Sequence, residues 1–182
     1  ISVIGPSIAL GLILLMAPLR FADLELSAWL LAGMVVTMSC VELIAGPIAG
    51  RISDRTGRTK PYLTGLAVMA ICMILVPLMP NLALLAPVLM VYAVGSGFAF
   101  TTSMTAVTDL ATKAGLNQGY SSAASAIGWA GGVIIGAMIG GLAIGAVGFF
   151  PGALLMAVLL LVIGLIAYRS AAKTPPADTV PA

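Results

Sequence analysis

The sequence predicts an all-α membrane domain of six transmembrane helices, and three observations carry that prediction. The 182 residues are 61% hydrophobic and only 8% charged, where a soluble domain carries about 25% charged residues. The mean hydropathy is +1.18. The apolar residues fall into runs of the length a helix needs to cross the hydrocarbon, about 20 residues, and six such runs with short connections use nearly the whole chain.

The first span is expected at 1–19, ISVIGPSIALGLILLMAPL, kinked at Gly5-Pro6 because proline removes a backbone donor, and closed by Pro18-Leu19-Arg20. Residues 20–27, with Arg20, Asp23 and Glu25, form the first connection. The second span, 28–50, contains Glu42, the one carboxylate deep inside any span. A charged loop, 51–60, leads to the third span, 61–79, which Pro80-Asn81 ends in a sharp turn. The fourth span, 83–107, carries Gly95-Ser96-Gly97 in its middle, a sign of close helix approach or local bending. In the polar connection 108–118, Asp109 and Lys113 have the spacing of a helical ion pair. The fifth span, 119–144, repeats glycine at every fourth position, Gly128, Gly132, Gly136 and Gly140. Such a bare stripe lets another helix come close; packing within the chain is preferred to self-dimerisation. After a turn at Gly148 comes the sixth span, 150–168, and the tail 169–182, with Pro175, Pro176 and Pro181, is expected to be disordered.

The basic residues orient the spans. If the spans alternate, the side of the 51–60 loop holds Arg51, Arg55, Arg58, Lys60, Lys113, Arg169 and Lys173, and the opposite side holds only Arg20. The positive-inside rule then makes the first side cytoplasmic, with both ends of the chain on it.

Several chemistries are excluded. The chain has no histidine, which removes Ser-His-Asp and Cys-His catalysis, histidine-ligated zinc and a rhomboid-like intramembrane protease. The reading is of a non-enzyme with no cofactor, no metal and no nucleic-acid partner. Cys40 and Cys72 fall inside spans and are expected as buried packing residues, not a disulfide. The chain begins at Ile1 with no charged leader; no targeting segment is expected, and it reads as cut from something longer.

The 51–60 loop carries the most specific motif. Gly50, Asp54, Arg55, Gly57 and Arg58 read G-x-x-x-D-R-x-G-R, with Gly57 suited to a backbone conformation other residues avoid and Pro61 opening the next helix. This stretch resembles the loop between the second and third helices of each six-helix half in the major facilitator superfamily of transporters; Thr59 departs from the basic residue many members carry there. APLRF (17–21), VELIAGPIAGRISDRTGR (41–58) and GLNQGYSSAASAIGWAGG (115–132) resemble the exit of the seventh helix, the eighth helix with its loop, and the entry to the eleventh. The resemblance covers nearly the whole chain and implies one half of a twelve-helix fold. Three features favour the second half: Tyr92 and no basic residue in the fourth span, no Gly-Pro pair in the fifth, and a short Pro/Ala tail. Drug–proton antiporters are the nearest subgroup. The resemblance further implies that Asp54, Arg55 and Arg58 clasp neighbouring helix ends on the cytoplasmic side and favour the outward-open state; an aspartate aimed at a helix N-terminus would meet the positive end of its dipole. For Arg51 and Lys60, orientation alone is the preferred role.

Glu42 is the sharpest site candidate. It lies eight residues before Gly50, roughly 12 Å deeper along a helix, near the midplane where carriers place their sites. Ser39, Glu42, Gly46 and Gly50 share one face, small and polar, which is expected to point into the bundle. No span offers a lysine, arginine or histidine at that depth. Three states are therefore open to Glu42: protonated in lipid, ionised in a wet cavity, or paired with a cation from the missing N-terminal half. An intramembrane carboxylate is a functional hypothesis by default; the plainer role is a hydrogen bond between helices. Tyr92, Phe98, Phe100, Asn117 and Trp129 are candidate cavity-lining residues, with packing or an interfacial belt preferred for the aromatics.

Two functional readings follow. One is half of a secondary active transporter in the bacterial inner membrane, moving a small molecule by alternating access, with protons as the candidate coupling ion and the bilayer and the missing half as partners. The other is a six-span membrane scaffold or packing partner without transport. The motif loop and Glu42 favour transport.

Overall fold

In lipid, a backbone with no water to bond must satisfy itself, and helices do so. The computed structural model describes residues 3–172. Among them are six helices long and apolar enough to cross a membrane: α1 (Ile4–Asp23), α2 (Ala28–Thr56), α3 (Thr59–Leu75, continued by one 3-10 turn, Val76–Leu78), α4 (Leu82–Lys113), α5 (Gln118–Val147) and α6 (Phe149–Ala172). Three of them start on side-chain caps. Ser27, Asn81 and Asn117 accept from the backbone N–H groups of Leu30, Leu84 and Gly119, each filling one of the orphan donors of a first turn.

The helices outrun the apolar runs, and several expected boundaries are corrected. Residues 51–60 are not a loop: α2 carries Arg51, Asp54 and Arg55 in its last turns, and only Gly57 and Arg58 separate it from α3. The connection 108–118 shrinks likewise, because α4 continues to Lys113. Charged side chains end a hydrophobic run without ending a helix, whose backbone bonds remain favourable at the membrane surface. Pro18 does not close α1, which runs on to Asp23, and Pro6 sits in its first turn, where a missing N–H costs nothing. The third span tightens at Val76–Leu78 because Pro77 lacks the donor an α-turn needs. Cys72 is buried, but Cys40 on α2 is exposed, against expectation. Arg169, placed in the tail by the sequence, belongs to α6; the rest of the expected tail, 173–182, lies outside the described residues.

The six helices form a ring with a gap. Helix α4 packs along both α2 and α3, α6 against α3 and α5, and α1 along α5, whereas α1 and α2, neighbours in sequence, scarcely touch. The buried core lies around α1, α3 and α4, with Leu12, Met16, Leu66, Met69, Leu89 and Tyr92 among its side chains. Glycines let the backbones close in. Gly132 and Gly136 of α5 abut Ser7 and Ile8 of α1. On α4, Gly95 abuts Gly65 and Val68 of α3, and Gly97 abuts Ala45 of α2. Helices α2 and α5 expose large apolar side chains such as Leu43, Ile44, Ile127 and Leu142.

At the end opposite the motif, Arg20 ties two hairpins together. Its Nε and Nη2 donate to the Met79 carbonyl at 3.1 and 2.6 Å, and its Nη1 lies 3.5 Å from Asp23. The guanidinium thus sits at the C-terminal end of the 3-10 turn, where cations are favoured. Arg20→Ala should lower stability by about 1.5 kcal/mol, the value of a hydrogen bond from a charged group, seen as a lower unfolding midpoint in detergent.

Candidate functional site

Helices α2 and α4 begin at the same end of the bundle and run parallel. Glu42 lies fourteen residues after Ala28 and Ser96 fourteen after Leu82, so the two stand level, about 21 Å into their helices. Glu42 is the middle residue of the 29-residue α2. At that level Ser96 Oγ donates to Glu42 Oε1 at 2.8 Å. The pairing depends on the flanking glycines: Gly97 admits the α2 backbone at Glu42 and Ala45, and Gly95 admits α3 on the other side, leaving Ser96 directed at the carboxyl.

The half-buried Glu42 opens on the gap between α1 and α2. A cleft of about 160 Å³ lies there, bounded by Leu10 and Ile13 of α1, Ser39 and Glu42 of α2, and Tyr92 and Ser96 of α4. Its walls are apolar apart from one carboxyl and three hydroxyls, so an occupant would meet a single ionisable acceptor in an otherwise greasy slot, smaller by itself than an ordinary ligand pocket. Ser39 is committed to its own helix, donating to Val35 O at 3.0 Å. Gly46 and Gly50, on the same stripe, face Thr101 of α4.

The motif residues gather at the other end of α2. Gly57 ends the helix at φ +83°, ψ 159°, a region essentially closed to side-chain-bearing residues. This turns the chain so that Arg58 lies between two helices. Its Nε donates to Asp109 Oδ2 of α4 at 2.6 Å, and its Nη1 lies 3.7 Å from Asp54 Oδ1. One expectation is corrected here: Asp109 takes Arg58 and not Lys113. Asp54 also has Arg58 as its ion-pair partner, because α2 continues past Asp54 and places Arg58 four residues on and within reach of α4. Gly50 lies one turn further in, and Arg51, Arg55 and Lys60 are exposed.

The remaining candidates scatter. Of the aromatics, Tyr92 lines the Glu42 cleft, fully buried. Phe98 and Phe100 are half-buried on α4 and are not among its lining. Trp129 is exposed and borders a separate groove of about 320 Å³ between α4 and α5, with Thr108, Ser121 and Ser125. Asn117 is a helix cap. The glycine stripe abuts α1, closely at Gly132, Gly136 and Gly140 and loosely at Gly128. Sequence reasoning missed Ser96 and Asp109 as partners. A serine between two glycines at the depth of Glu42 was a usable signal for the first; nothing in the local spacing pointed to the second.

A comparison with curated proteins finds no match. Against protein families, residues 2–182 match the Major Facilitator Superfamily. That match spans all six helices, the Glu42 cleft and the Arg58 bridge alike, and the chain therefore belongs to the Major Facilitator Superfamily of membrane transporters.

Proposed function

We propose that this chain is the C-terminal six-helix half of a secondary active carrier that moves a small molecule by alternating access, coupled to protons through Glu42, in the manner of a drug–proton antiporter of the inner membrane. The observation that carries this reading is the half-buried Glu42, mid-helix on α2, paired to Ser96 and opening on an apolar cleft. A carboxyl so placed can exchange a proton or a cationic group with an occupant of the cleft, and an occupant that prefers one access state shifts the balance between the two. The other half of the carrier supplies the facing wall. The test is the full-length protein in proteoliposomes. An imposed proton gradient should drive saturable accumulation of a substrate found by efflux screening; gradient-independent leakage alone would refute it.

In this reading both ends of the chain are cytoplasmic. Once Cys40 and Cys72 are replaced by serine, an impermeant maleimide outside intact cells should label Asp23→Cys and spare Thr56→Cys. The reverse pattern would invert the topology.

Arg58 then works as a latch on the cytoplasmic side, holding the α2–α3 turn to the end of α4. Exposed ion pairs contribute about 0.2–1 kcal/mol, so the effect is a bias and not a lock. Asp109→Asn should speed maleimide labelling of Ser53→Cys, a position that is 2% exposed on the last turns of α2, roughly two- to fivefold. Asp54→Asn should do less, because its contact is longer and wetter. Substrate affinity should hardly change. A larger effect from Asp54→Asn would reassign the latch.

A further inference from the structure

We propose that Tyr92 is a positioning residue for Glu42, its hydroxyl being the second hydrogen-bond donor that the carboxylate takes up when it gives up its proton. This rests on the reading that Glu42 changes protonation during the working cycle. Tyr92 stands one turn before Ser96 on the same face of α4 and lines the same cleft. It is 1% exposed, and its hydroxyl is buried with no hydrogen-bond partner among the described residues. An orphaned phenol hydroxyl in a membrane interior is costly, so its persistence calls for an acceptor reached in another state.

Glu42 is the one carboxyl lining the cleft that Tyr92 also lines, and the ionisable neighbour on α3 is the buried Cys72 thiol, a weak acceptor. From α1 the cleft receives only apolar side chains. The need runs the other way as well. An ionised carboxyl is stabilised by two or three donors, yet Glu42 has one, Ser96. Ser39 is spent on Val35, and the cleft presents no cation. Tyr92 is thus the uncommitted donor beside an under-supplied acceptor. When the Glu42 proton leaves through the cleft, a carboxylate held by both Ser96 and Tyr92 draws α2 toward α4; when the proton returns, one of those bonds is surrendered. The charge of Glu42 is in this way read by the packing of two helices.

The experiment is infrared difference spectroscopy of the reconstituted full-length protein across pH, with the Glu42 carboxyl band assigned by its loss in Glu42→Gln. Tyr92→Phe keeps the ring and removes the donor. It should raise the proton affinity of Glu42 roughly tenfold, the worth of one bond to a charged acceptor. In the wild type, the tyrosine C–O band should shift together with the Glu42 step and stay still in Glu42→Gln. That measurement serves if Tyr92→Phe does not insert. An unchanged midpoint in Tyr92→Phe, a tyrosine band indifferent to the Glu42 step, or a Glu42 band that does not respond to pH would each overturn the proposal. None of these readouts requires transport. Failure of Tyr92 alone therefore leaves the transport reading standing, and a dead transport assay leaves the Tyr92 result interpretable.

Discussion

Gly136→Ala should destabilise the protein by about 3 kcal/mol, the upper end of overpacking costs, although alanine is the better helix former. A Cβ at Gly136 would run into the Ile8 carbonyl of α1, which is backbone and cannot turn aside. Gly132→Ala should be costly too, since its Cβ would stand 2.5 Å from Ser7 Cβ and 3.1 Å from the Ile4 carbonyl. Gly140→Ala meets only the tip of Leu12, a flexible side chain, and should cost less. Gly128→Ala finds nothing nearer than Val3 at 3.8 Å and should be nearly neutral. Gly131, off the stripe with open space around it, should gain up to about 1 kcal/mol from alanine's helix propensity. Thermal unfolding of the five variants in one detergent checks the order. Five equal values would mean that α1 and α5 do not meet along this line.

That ranking shows where the sequence was legible and where it was not. A glycine at every fourth position draws a line on a helix whatever lies opposite, so the stripe could be read without its partner. The partner was not read, although Ser7 and Gly11 of α1, four residues apart, form a small-x-x-x-small pair on the face that meets α5. Six spans were readable because hydrocarbon imposes a length; their ends were not, because Arg51 and Asp109 mark where the chain leaves lipid while the helices continue to Thr56 and Lys113. The depth of Glu42 followed from counting residues. Its bond to Ser96 joins positions 54 apart in sequence, and only Gly95-Ser96-Gly97 hinted at it. The Arg58–Asp109 bridge was hidden by a rule that works locally: helical spacing favoured Lys113, but a guanidinium at the α2–α3 turn competes from outside the helix and wins at 2.6 Å.

On the proposed proton-coupled reading, Glu42→Gln should abolish gradient-driven transport while the protein still inserts and folds. The substitution is close to isosteric, and the glutamine carbonyl can still accept from Ser96, so the α2–α4 contact keeps its hydrogen bond and only the ionisable group is lost. Hydrogen bonds to charged groups are worth about 1.5–3 kcal/mol. A cationic substrate held by this carboxyl should therefore bind some ten- to a hundredfold more weakly, and a neutral one should lose its dependence on the gradient. Ser96→Ala is the companion variant: it keeps the carboxyl and removes its one donor, and should shift the pH profile without abolishing transport. Initial rates in proteoliposomes across pH, with protein folding followed by size-exclusion chromatography, separate these outcomes. A Glu42→Gln carrier with normal rates and an unchanged pH profile would reduce Glu42 to a hydrogen-bonding residue between α2 and α4. The gradient would then have to be read elsewhere, because α2 carries no other carboxylate at that depth and Asp54 and Asp109 stand with Arg58 at the motif end.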